Sequence, residues 1–136
     1  MPPVATPPAT SPLVLIVDPF ADAREMYAEY LEFRGYRVAT AATGAEALTR
    51  ARADKPALIL MDTYLPEMSG SDTLRAMRAD PALVHTPIVA FTTNAMEHER
   101  AAARRVGFDA VIPKPCLPDD LITLIQPYLA RFRPRY

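Results

Sequence analysis

The chain is poor in cysteine: Cys116 is the only one in 136 residues. That excludes an internal disulfide framework and suits a reducing compartment. It also lacks a charge of one sign, since 15 Lys and Arg face 16 Asp and Glu for a formal net charge of -1. Neither the basic footprint of a nucleic-acid binder nor an acidic tail is present. Its two histidines, His85 and His98, have no paired ligand at metal spacing, so both read as surface residues and neither as a phosphodonor. No segment approaches the roughly 18 uninterrupted apolar residues of a membrane span. The start, MPPVATPPATSP, has neither the basic residues nor the apolar stretch of a signal peptide. A soluble, cytoplasmic protein is expected, with no nucleic acid and no membrane among its partners.

Half of the residues are hydrophobic, enough for one domain with a single buried core. We expect a flexible Pro-rich N-terminal tail over 1–12, a domain over 13–131 and a C-terminal tail over 132–136, where RFRPRY reads as a solvated helix end or linker. Short runs rich in Val, Ile and Leu at 13–17, 57–61, 87–91 and 109–112, with a weaker one at 36–40, are too brief for helices and predict strands. Helical patterns lie between them. Met26, Tyr27, Tyr30 and Leu31 share one face and read as core. Leu74 and Met77 share another, and Leu121, Leu124, Ile125, Tyr128 and Leu129 form the clearest stripe. Thr43 with Glu46 predicts a capping box, Asn94 a cap before Glu97, Gly107 a helix stop and Pro118 a helix start. Pro127 predicts a kink or restart, because proline removes a backbone donor.

Continuously apolar strands alternating with helices imply a parallel sheet covered on both faces, an α/β three-layer sandwich. Ligands in such folds sit beyond the carboxyl ends of the strands. The residues just after the runs are Asp18, Asp62, Thr92 and Lys114. Two acids at one sheet edge stay ionised only beside a cation. Lys114 is available, and Mg2+ suits the pair because it uses one or two carboxylates with several waters and works beside phosphate. With the Thr92 hydroxyl, the set contains a nucleophile and groups able to hold phosphoryl oxygens.

In order and spacing, LVLIVD, LILMDTYLPEMSG, PIVAFTTNAM and VIPKP resemble the receiver domain of bacterial two-component response regulators, stand-alone type, from about residue 13 to 131. The resemblance implies a flavodoxin-like (βα)5 fold with a central five-stranded parallel sheet. It implies that Asp62 is the phosphoacceptor for a sensor histidine kinase or phosphotransfer protein, and that Asp18, Asp62 and the backbone carbonyl of Tyr64 hold Mg2+. Thr92 and Lys114 would contact the phosphoryl group, with a cis bond between Lys114 and Pro115. A downstream protein target, or a second copy in a homodimer, would dock on 95–131. The implied protein is a switch and not an enzyme.

Two positions depart from that pattern. Pro19 stands where the family has a second metal-binding acid. Losing one carboxylate about 4 Å from the ion costs about 1 to 4 kcal/mol of attraction, so metal binding is expected to be weak. Asp22, in the first helical turn, reads as N-terminal stabilisation instead. Val111 replaces the aromatic ring that turns inward on activation, so the signal is expected to travel through the Thr92 loop. Together these motivate the alternative of a phosphate-independent pseudo-receiver serving as a protein interaction module. A haloacid-dehalogenase-type phosphatase wants an acid where Tyr64 stands. A flavodoxin-like cofactor protein wants a Ser/Thr-rich loop where Asp18-Pro19 stands. Cys116 reads as filling a small apolar space.

Overall fold

A computed structural model describes residues 11–93 and 95–130. Five parallel strands form one sheet: β1 (Leu13–Val17), β2 (Arg37–Ala41), β3 (Leu58–Met61), β4 (Ile88–Thr92) and β5 (Ala110–Pro113). They alternate with α1 (Ala21–Phe33), α2 (Gly44–Asp54), α3 (Gly70–Arg78), α4 (Glu97–Val106) and α5 (Pro118–Leu129). The fold is the three-layer sandwich expected of the pattern, and the flavodoxin-like (βα)5 arrangement that the resemblance implies, with each apolar run within a residue of its strand.

Strand alternation explains why the central runs are continuously apolar. Val14, Ile16, Leu58, Leu60, Val89 and Phe91 face one core, shared with Tyr27, Leu31, Leu121, Ile125 and Leu129 of α1 and α5. Leu15, Val17, Ile59, Met61, Ile88 and Ala90 face the other, against Ala47, Leu74, Met77 and Ala103 of α2, α3 and α4. The two edge strands, β2 and β5, are half-buried or exposed for most of their length, and the run of β2, buried only at Ala41, is the weaker in sequence.

The strand order β2-β1-β3-β4-β5 sends the chain outward from β1 and then back to its other side. This opens a crevice at the carboxyl ends of β1 and β3, the place where α/β sheets bind ligands. The Thr43 cap accepts from Glu46 N at 3.1 Å, and the Glu46 carboxylate returns to Ala42 N. Gly107 ends α4 at φ 128°, and Pro118 opens α5.

Several expectations need correction. Helix α5 passes through Pro127 to Leu129 without restarting. The proline lies in the last turn, and both it and Thr123, whose carbonyl loses its helical partner, are exposed, so water can satisfy that group. Met26 and Leu124 are exposed and not core, because each lies at the margin of its helix stripe. Helix α4 starts behind Met96 with no side-chain cap; Asn94 lies outside the described residues. So do 1–10 and 131–136, and with them most of both expected tails. The carbonyls of Ser11 and Pro12, placed in the tail on sequence, accept from Arg37 Nε and Arg37 N. Among the described residues no helix is long and apolar enough to cross a membrane.

Candidate functional site

The crevice gathers all the residues read from the strand ends. Asp18 follows β1, Asp62 follows β3, Thr92 closes β4, and Lys114 follows β5. Asp18, Asp62 and Thr92 are buried, and the Lys114 side chain is nearly so. Lys114 Nζ donates to Asp18 Oδ2 and, at 3.3 Å, to Asp62 Oδ2. It also lies 4.9 Å from the centroid of the Phe91 ring, a favourable cation–π placement. Phe91 is packed edge-on by Tyr27, whose hydroxyl donates to the carbonyl of Cys116 at 2.8 Å. The ammonium is thus aimed by side chains from α1 and β4, while the Lys114 backbone N–H donates to the Thr92 carbonyl and the Lys114-Pro115 bond is cis.

The two acids are set alike. Asp18 Oδ1 accepts from Phe20 N at 2.8 Å, and Asp62 Oδ1 accepts from Tyr64 N at 3.0 Å. Each closes an Asx turn with one oxygen and offers the other to Lys114. Pro19, with its fixed φ, suits the middle of the first turn. It stiffens the position where a second acid would stand. Asp62 Oδ1 also accepts from Thr92 Oγ1 at 3.3 Å, and Thr92 Oγ1 is 3.0 Å from Thr63 Oγ1. Arg24 Nη1 donates to the carbonyl of Asp18 at 2.7 Å, which brings a second positive group to the rim.

Two carboxylates satisfied at once by one cation form a donor pair of the kind Mg2+ uses. Among the described residues there is no group of three or more His, Cys, Asp or Glu able to hold a metal, so any ion relies on backbone and water for its other ligands. It must also compete with Lys114 for Asp18 Oδ2 and Asp62 Oδ2. The donor set fits Mg2+, with little charge to spare.

Other residues fall outside the crevice. Val111 is half-buried on β5 beside Ala90. His85 and His98 are exposed. Cys116 is half-buried, and burial, aided by the Asp120 charge, pushes its thiol above the ordinary value, which disfavours the reactive thiolate at neutral pH. Thr63 and Arg24 escaped the sequence reading. Thr63 adjoins the acid directly and could have been flagged by position, whereas the Arg24 contact depends on how α1 leaves the turn. The Ser69 cap of α3, which accepts from Asp72 N, was visible as Ser-x-x-Asp.

Large apolar side chains stand on the loops that leave the carboxyl ends of β1, β3, β4 and β5. Phe20, Tyr64, Met96 and Leu117 are between 66% and 71% exposed, far more than residues of this kind usually are.

Comparison with known proteins shows the family and agrees with the fold. Residues 14–126 match the family described as "Response regulator receiver domain". The chain is similar to the polar-differentiation response regulator DivK of Brucella anthropi, 35% identical over 116 residues covering 85% of this chain and 94% of the relative. It is also similar to an uncharacterized 14.6 kDa protein of Leptolyngbya boryana, 36% identical over 121 residues, 89% of this chain and 92% of the relative. Among solved structures, the chemotaxis response regulator CheY4 of Vibrio cholerae superposes with a TM-score of 0.83 at 32% identity, covering 88% of this chain and 100% of that one.

Proposed function

The chain belongs to the response regulator receiver family, and from that premise we propose that Asp62 accepts a phosphoryl group and that the change alters affinity for a protein partner. The observation that carries this reading is the convergence of Thr92 Oγ1 and Lys114 Nζ on the two oxygens of one buried carboxylate. An Asp62 oxygen would attack the phosphorus of a phosphohistidine. The P–O bond forms as the P–N bond breaks, and the imidazole leaves with the electron pair. Lys114 and the Thr92 hydroxyl are already aimed at the place where phosphoryl oxygens would carry charge. Asp18, Asp62 and the Tyr64 carbonyl would hold Mg2+, which when bound supplies further neutralisation of phosphoryl charge. We read the chain as a cytoplasmic bacterial switch and not as a turnover enzyme.

Exposed Phe20, Tyr64, Met96 and Leu117, all on loops at the same edge of the sheet, support a protein donor, a sensor histidine kinase or phosphotransfer protein. The downstream target, or a second copy in a homodimer, would dock on 95–131, where a groove beside β5 and α5 is lined by apolar Ile112, Leu117 and Leu124 and by polar Asp120 and Thr123. The phosphate-independent alternative is less favoured, since the acid, hydroxyl and ammonium all remain in place. Incubation with acetyl phosphate and Mg2+ should yield one phosphoryl adduct by intact mass, absent from Asp62→Asn. An unmodified wild-type protein would overturn the acceptor role.

A further inference from the structure

The hydrogen bond between Thr63 and Thr92 has a direction. Thr92 Oγ1 donates its one proton to Asp62 Oδ1, an oxygen that only accepts while the acid is ionised. In the 3.0 Å contact with Thr63 Oγ1, Thr92 is therefore the acceptor and Thr63 the donor. The chain runs Thr63 to Thr92 to Asp62, and each bond polarises the next. Thr92 is fully buried on β4, and a threonine hydroxyl has more than one rotamer open to it. Val111, on the same face of the sheet in the neighbouring strand, is short and offers no bulk to dictate which one is filled. Thr63 is fixed by the turn at Asp62, and its carbonyl accepts from Gly70 N at 3.1 Å.

We propose that Thr63 is a positioning residue that holds the Thr92 hydroxyl inward on Asp62 before any phosphoryl group arrives. In this chain the Thr63 hydroxyl takes part in setting the resting rotamer of the threonine, where Val111 offers no aromatic ring to do so. The contact to the incoming phosphoryl oxygen is then organised in advance, with no side-chain rearrangement left for the reaction step.

The inference rests on the receiver reading for its kinetic consequence, though not for its structural one. Thr63→Val keeps the side-chain shape and removes the proton, and Thr63→Ser restores it. Three-bond couplings of Thr92 measured by NMR should report one χ1 rotamer in the wild type and in Thr63→Ser, and averaging in Thr63→Val. The rate of adduct formation from acetyl phosphate should fall roughly threefold to tenfold in Thr63→Val, the size of one net hydrogen bond, and recover in Thr63→Ser. Unchanged Thr92 couplings in Thr63→Val would overturn the proposal. A wild type that takes up no phosphoryl group would sink the acceptor role of Asp62 alone, because the couplings still decide what Thr63 does.

Discussion

Pro19 and Lys114 set the charge of the crevice between them. With one acid missing and Lys114 already shared by Asp18 and Asp62, an incoming ion gains less and displaces more. Restoring the carboxylate should reverse this. Pro19→Asp is expected to tighten Mg2+ by about fivefold to several hundredfold, on a Coulomb gain of about 1 to 4 kcal/mol, as read by calorimetric titration. The same variant should melt at a lower temperature without metal, from added repulsion, and regain stability as Mg2+ fills the site by mass action. Equal affinities in the two proteins would show that the missing acid is not what limits the metal.

At the scale of elements, α3 begins hard against the turn that carries Asp62. A Cβ on Gly70 would lie 2.7 Å from the Asp62 carbonyl oxygen and 2.8 Å from Thr63 Cα, and one on Gly44 would lie 2.1 Å from Thr73 Oγ1. Backbone cannot give way as a flexible side chain does, so the start of α3 rests directly on the turn that carries the acid. Gly70→Ala should therefore cost about 1 to 3 kcal/mol in chemical denaturation and slow adduct formation, because relief of the clash moves Asp62 and Thr63. A variant with full stability and an unchanged rate would mean that the turn tolerates the displacement. Elements were also the level best read from sequence: strands, caps and stops follow from local pattern and turn chemistry. The errors at Met26 and Leu124 share a cause, since a helix stripe does not tell how far its neighbours extend over its margins, whereas the error at Pro127 comes from its place in an exposed last turn.

For the molecule as a whole, two apolar layers share one sheet, so neither can persist when the other is lost. Leu31 lies in one layer and Met77 in the other, both fully buried. Leu31→Ala and Met77→Ala should each destabilise by about 2 to 5 kcal/mol, with circular dichroism and tyrosine fluorescence moving in a single coincident transition. Separate transitions in either variant would indicate layers that unfold independently.

By itself the sequence determined the alternation of strands and helices, the parallel sheet and which residues stand at its carboxyl edge, because periodicity and turn chemistry are local properties. It did so for Asp18, Asp62, Thr92 and Lys114. Only the tertiary structure decided how those residues divide their bonds: one oxygen of each acid to its own turn, the other to Lys114, with Thr63 behind Thr92 and Arg24 at the rim. The physical reason is that hydrogen bonds and ion pairs act over a few ångströms, between groups that lie as many as 96 positions apart in the chain and meet only once the sheet has assembled.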